Sequence, residues 1–257
     1  MEEGHGGGGH GGNVPSGEGA GRGGKMISRV ARGLRGLGVE MGDACGKDFG
    51  MKTGERFFDV SSEVRVWGRY DATIRTWMHS TALRAEGGAG WWILDPIVLH
   101  GVEWENWVKL LEADGGVSGY LLTNGNHERE LGEWMRRFPG RVFAHRDAVG
   151  HFAVGVDASL EEGMVLAGGY EVVGLCGAGP GEVAFFREGV SIHFGDGLLN
   201  LEETDFAFLP EKYCVDARAL RASVARLAGC SATVATFAHG GPLRGDIGQR
   251  IGALCAG

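Results

Sequence analysis

No two cysteines in the chain are spaced C-x-x-C, and the five present, Cys45, Cys176, Cys214, Cys230 and Cys255, are scattered and odd in number. That excludes a zinc knuckle and a disulfide framework, and reduced thiols are expected. Basic blocks are missing too. With 25 Lys and Arg against 33 Asp and Glu, the formal charge is −8, so nothing here builds the clustered positive surface that binds phosphate backbones, and nucleic acid is not an expected partner. Neither an apolar run near the ~20 residues that cross a bilayer nor a charged-then-apolar leader is found. A cytoplasmic protein without a membrane partner is expected, and the oligomeric state is left open.

What the chain has in excess is glycine, 49 of 257 residues. Residues 1–24, MEEGHGGGGHGGNVPSGEGAGRGG, offer almost nothing to bury and cannot offset the entropy of ordering a backbone. Residues 1–50 are therefore expected to form a disordered Gly-rich extension and residues 51–257 a single domain, a length that suits one sizeable core. Translation from Met26, Met41 or Met51 would keep the whole foldable part.

From about Phe57, short apolar runs alternate with Gly and charged turns. EVRVWGRY alternates as a strand, and GWWILDPIVL reads as a buried strand ending at Asp95-Pro96. WENWVKLLEADGG carries Trp104, Trp107, Val108 and Leu111 at helical spacing, with Gly115 and Gly116 as its stop. GYLLT is a strand, ERELGEWMRRF a helix and RVFAH a strand, an α/β arrangement. After Ala158, MVLAGG, YEVVGLCG, EVAFFREG and VSIHFGD read as an antiparallel meander. DARALRASVARLAG is then a helix and ATVATFAHGGP a strand. The Trp residues fall on strand or helix faces and read as core.

Polar clusters fall at the expected strand ends: TNGNHERE at 123–130, GAGPGE at 177–182, HFGDG at 193–197 and FAHGG at 237–241. Ligands of open α/β folds gather at such ends, where loops converge on a rigid sheet. GAGPGE lacks the Lys-Ser/Thr and following helix of a phosphate loop and reads as a β-turn.

The order of these clusters, with Asp95-Pro96 closing an early strand, resembles the metallo-β-lactamase superfamily over roughly residues 57–245. The resemblance implies an α/β fold, the αββα four-layer sandwich, with metal ligands on strand-end loops. It also implies a first motif H-x-H-x-D-H, whose positions here read Asn124, Asn126, Glu128 and Arg129. The third-motif His falls on Ala178, and only Asp196 and His239 keep the expected type. Carboxamides and a methyl group are poor partners for zinc, so the first of the family's two metals is expected to be lost.

At the second position Arg129 has no lone pair to give. The expectation is a metal site turned into an ion-pair network, with Arg129 neutralising Asp196 and Glu128 through bidentate hydrogen bonds. His127 sits where the family's residue faces away from the metals, and a surface or helix-capping role is expected. The implied function is a hydrolase homologue with an eroded site, no cofactor, and a small-molecule cleft lined by Asn124, Asn126, His127, Glu128, Arg129 and Ala178 beside Asp196 and His239. The alternative is a hydrolase of an ester, thioester or amide using one zinc or iron held by Asp196, His239 and Glu128.

Overall fold

The computed structural model describes residues 54–85, 90–202 and 205–257, so the expectation for residues 1–50 lies outside the described residues. Alternating and apolar runs build a first sheet of β1 (Glu55–Asp59), β2 (Val64–Asp71), β3 (Thr76–Arg84), β4 (Trp91–Leu94), β5 (Val117–Leu122), β6 (Arg141–His145) and β7 (Ala158–Leu160), neighbours in that order. The pairings up to β3–β4 are antiparallel. From β4 to β7 the strands run parallel and need crossovers. α1 (Val102–Ala113) and α2 (Leu131–Arg137) supply two of them. α1 stops where expected, with Gly115 and Gly116 in left-handed backbone.

The expected meander is present as β8 (Val165–Leu166), β9 (Tyr170–Gly174), β10 (Val183–Arg187) and β11 (Ser191–Phe194). A small hairpin of β12 (Leu198–Leu201) and β13 (Asp205–Phe208) follows, then α3 (Ala217–Ala225), β14 (Val234–Phe237), β15 (Leu243–Arg244) and α4 (Ile247–Ala256). β14 pairs parallel with β11, which completes a second sheet in the order β15-β14-β11-β10-β9-β8. Asp216 caps α3 by accepting from the amides of Arg218 and Ala219. Asp246 caps α4 through the amide of Gln249, and each such cap is worth roughly 1 kcal/mol.

The two sheets pack face to face. Val64, Val66, Leu83, Leu94 and Leu121 of the first meet Val172, Val183, Phe185 and Val234 of the second. The outer face of the first sheet buries Trp67, Trp91 and Tyr120 against Trp107 and Leu111 of α1 and Trp134 of α2. The outer face of the second buries Ile192, Phe194 and Phe237 against Leu220 and Val224 of α3 and Ile247 and Ile251 of α4. Helix, sheet, sheet, helix is the αββα order expected from the sequence.

The parallel strands β4 and β5 of one sheet and β11 and β14 of the other all end at one edge of the sandwich. Loops from both sheets meet there through backbone hydrogen bonds: Val183 N–H to Thr123 O (2.8 Å), Gly125 N–H to Pro180 O (2.9 Å), His79 N–H to Ala238 O (2.9 Å) and Asn200 N–H to His239 O (3.1 Å). Close approach at this edge requires glycine. A Cβ on Gly195 would stand 2.5 Å from Thr123 Oγ1, and one on Gly240, where φ is +115°, would stand 2.0 Å from Asn200 O.

Candidate metal centre

Asp95 follows β4 directly, with its side chain fully buried. Its backbone is left-handed, φ 48°, a conformation that costs a non-glycine residue about 1–3 kcal/mol and persists where the surroundings over-determine it. They do so here. Asp95 Oδ1 accepts the Thr123 amide at 2.9 Å, and Oδ2 accepts Thr123 Oγ1–H at 2.6 Å and faces His127 Nδ1 at 3.0 Å. With Nδ1 turned to Asp95, His127 directs Nε2 at Asp196 Oδ1, 3.2 Å away. The same oxygen lies 3.4 Å from Nε2 of His239, whose ring also hydrogen-bonds the backbone of Trp77. His127, Asp196 and His239 are all buried and each offers one ligand atom, with those atoms within 4.8 Å of one another.

Around these three lies a ring of polar groups. Asn124 Nδ2 donates to Glu182 Oε2 at 2.6 Å and to Asp196 Oδ2 at 3.2 Å. Glu182 Oε1 accepts the Gly197 amide at 3.0 Å. Arg129, also left-handed at φ 46°, donates from Nη1 to the carbonyls of His79 (2.6 Å) and Asp95 (3.1 Å), and from Nη2 to that of Ala238 (3.2 Å). One guanidinium thereby ties β3, the end of β4 and the end of β14 together beneath the cluster. A small pocket of about 20 Å³ is lined by Trp77, His79, Asn200, Glu202 and Gly240.

Charge in this enclosed space sets the protonation states. Burial disfavours the imidazolium of His127, yet the carboxylates of Asp196 and Asp95 outweigh it and push its pKa up to about 9. Burial wins at His239, and with Arg129 and His127 adding repulsion its pKa falls to about 3 despite Asp196. Burial and the Asp196 charge together raise Glu182 to about 8. Burial opposes ionisation of Asp95 and Asp196, but His127 leads a set of positive groups that hold both well below the usual carboxylate range. At neutral pH, Asp95 and Asp196 are thus balanced by His127 and Arg129.

Three expectations are corrected by this geometry. His127 is neither a surface residue nor a helix cap; the turn TNGNH folds its ring inward, and Asp95 and Thr123 hold it at the centre. Glu128 points away from the cleft, since its carboxylate accepts the amides of Ala153 (2.9 Å) and Val154 (2.8 Å), so it is not a candidate ligand. Arg129 bonds backbone carbonyls rather than making the bidentate contact with Asp196 and Glu128, although its charge still reaches Asp196.

Asn124 lies against the cluster through Glu182 and Asp196. The backbone N–H of Asn126 donates to Asn124 Oδ1 at 2.8 Å, while Ala178 is buried in the core of the second sheet. Cys176 is exposed. The residues not anticipated are Glu182, His193 and Thr236. Each is a polar side chain inside or directly before an otherwise apolar strand, and that was the signal available.

Residues 62–242 match the family model of the metallo-beta-lactamase superfamily. Together with the sandwich and its strand-end cluster, this shows that the chain belongs to that superfamily. Among solved structures, it is similar to a metallo-beta-lactamase from Pontibacter korlensis, at 16% identity and TM-score 0.60, covering 79% of this chain and 96% of that one. A beta-lactamase domain protein from Burkholderia ambifaria is 22% identical with TM-score 0.57, covering 78% and 72%. A metallo-beta-lactamase family protein from Thermus thermophilus is 19% identical with TM-score 0.54, covering 77% and 79%. At these identities the likeness is one of fold. No curated protein matches the chain.

Proposed function

We propose that the chain is a hydrolase-type protein whose two-metal site has contracted to one divalent cation, zinc or iron, held by His127, Asp196 and His239. The observation that carries this is the convergence of two imidazole Nε2 atoms on one carboxylate oxygen, at 3.2 and 3.4 Å. Both rings have a further hydrogen-bond partner, Asp95 for one and the backbone of Trp77 for the other. Two imidazoles and a carboxylate form a donor set suited to zinc or iron with positions left open. A carboxylate behind the ring is the usual device for fixing a ligand histidine. The set does not suit a second ion: Asn124, Asn126 and Ala178 give it no strong donor, and Arg129 brings a fixed positive charge to the same space.

A cation bound there supplies Lewis acidity and an activated water for attack on an ester, thioester or amide. The chain's own groups divide the remaining work. Asn124 links Asp196 to Glu182 and orients both carboxyl groups. Glu182, protonated up to about pH 8, is the group beside the cluster suited to holding or passing a proton at neutral pH. Arg129 anchors the loops and limits the net negative charge. The partner in this reading is a small molecule. A cytoplasmic location belongs to the same proposal and rests on the scattered, unpaired cysteines. Among the described residues no helix is long and apolar enough to cross a membrane.

A second reading draws on one observation. His127, charged up to about pH 9 between Asp95 and Asp196, already supplies a positive charge where the cation would sit, and a metal-free homologue with an eroded site follows from that. Metal analysis of protein purified without chelator separates the two. Close to one equivalent of zinc or iron, lost in His127→Ala, is expected; no metal in the unmodified protein would leave the second reading standing.

A further inference from the structure

The layer between the two sheets is apolar along most of its length, yet near its site end it holds a fully buried histidine, His193 of β11. Its Nδ1 lies 2.8 Å from Thr236 Oγ1 on the neighbouring strand β14. Its Nε2 faces Asp95 Oδ2 across the sandwich at 3.7 Å. Burial, helped by repulsion from His127 and Arg129, keeps this ring neutral against the pull of Asp95. A neutral imidazole carries one N–H. If Thr236 Oγ1–H donates to Nδ1, that proton resides on Nε2, directed at the oxygen of Asp95 that His127 also faces.

The side chains Thr236, His193, Asp95, His127 and Asp196 thus stand in a row from the second sheet to the site. The step from His193 to Asp95, 3.7 Å long, leaves the buried Nε2 of His193 aimed at that carboxylate without a hydrogen-bond partner of its own among the described residues. The row's inner half is rooted in the second sheet, and Asp95 belongs to the first. Nothing else in the core accounts for an imidazole here, since an apolar residue of similar size would fill the space without the cost of burying a polar ring.

We infer that His193, backed by Thr236, is a positioning residue for the metal centre: it fixes the Asp95 carboxylate between the sheets, and so holds the His127 ring with Nε2 turned to the ion. This rests on the one-metal reading above. His193 touches neither metal nor substrate. Its action passes through Asp95, which has Thr123 N–H and Oγ1–H and His127 Nδ1 on its near side and His193 on its far side. Removing the far contact takes away the group that faces the carboxylate from the second sheet, and a shift of Asp95 is passed to the ring it orients.

The test uses cobalt(II) as the probe, with affinity read by titration and geometry by the visible absorption of the bound ion. Three variants of the full chain are compared with the unmodified protein: His193→Phe, which keeps the bulk but removes the donor; His193→Gln, whose amide N–H can stand near the original Nε2; and Thr236→Val. The expected result is roughly a 10–100-fold loss of cobalt affinity with altered absorption bands in His193→Phe. A smaller loss is expected in Thr236→Val, and recovery to within about threefold of the unmodified protein in His193→Gln. If the unmodified protein binds one cobalt and both His193→Phe and Thr236→Val bind it equally well, the inference is overturned while the metal reading stands. A folded His193→Gln as weak as His193→Phe would show a packing effect and overturn it as well. No cobalt binding by the unmodified protein would sink the metal reading and this inference together. Should His193→Phe fail to fold, Thr236→Val decides.

Discussion

Arg129 draws separate loops together at the buried edge by hydrogen bonding, as a bound cation would by coordination. A metal gathers loops by accepting electron pairs from side chains; a guanidinium gathers them by donating hydrogen bonds, and here it donates to the carbonyls of His79, Asp95 and Ala238. Lysine could supply the charge but not the planar spread of donors. Arg129→Met keeps the aliphatic stem and removes every one of these bonds, leaving carbonyls short of partners and His127 as the cation that remains beside Asp95 and Asp196. A loss of about 3 kcal/mol in urea denaturation is expected. A change below about 0.5 kcal/mol would mean that solvent replaces the guanidinium freely.

Among the elements, the segment leaving β4 is held by tryptophans rather than by regular pairing. The carbonyl of Ile97 accepts the indole N–H of both Trp67 (2.9 Å) and Trp134 (3.0 Å). Those rings lie 5.5 Å apart in one outer-face cluster. Glu130, just before α2, accepts the Val98 amide at 2.7 Å and pairs with Arg69. The loop that begins with left-handed Asp95 is therefore fixed from its far end by α2 and β2. Trp134→Ala removes a fully buried ring together with one of these anchors. It should cost about 3–5 kcal/mol, measured as a shift of the denaturation midpoint at unchanged slope; a cost below about 1 kcal/mol would show that the cluster closes over the gap.

For the molecule as a whole, the buried titratable groups predict how metal-free stability depends on pH. His79 and His239, both held near 3, stay neutral when folded while the unfolded chain takes up protons below about 6.5, so stability falls as pH drops through that window. His127 works in the opposite sense. Raised to about 9, it contributes stability that is complete below the unfolded value of about 6.5 and is lost as pH rises through 9. Glu182, protonated up to about 8, adds a decline as pH rises from its ordinary range to that value. With chelator present, urea denaturation between about pH 4 and pH 10 should show a maximum near about pH 6.5 and a loss from there to about pH 9. Stability that climbs steadily to about pH 9 would contradict the protonation states assigned to His127 and Glu182.

The layer order was legible in the sequence because alternation and helical spacing respond to one thing, the side of an element that faces the core. The apolar run of GYLLT and the strands YEVVG and VAFFR bury their apolar residues for the most part. Met164 and Val165, by contrast, are exposed, and Trp67 breaks the alternation of EVRVWGRY because helices cover the outer face of its sheet. Strand β3 and helix α4 were not legible in the same way. TWMHSTALR mixes polar residues into a strand whose inner face meets the site, and IGQRIGALCA carries two glycines that weaken a helical signal.

At the site, the strand-end clusters together with the family resemblance pointed to Asp196, His239 and the turn at 123–130. It could not give the direction of side chains within that turn. Neighbours on a tight loop point opposite ways, and which of His127 and Glu128 faces inward depends on partners distant in sequence: Asp95 and Thr123 draw in the imidazole, and the amides of Ala153 and Val154 hold the carboxylate outside. What the sequence determined by itself was where strands end and loops gather. Only the packing of two sheets decided which polar groups share that buried edge, because hydrogen bonds between residues far apart along the chain form only when tertiary structure brings them together.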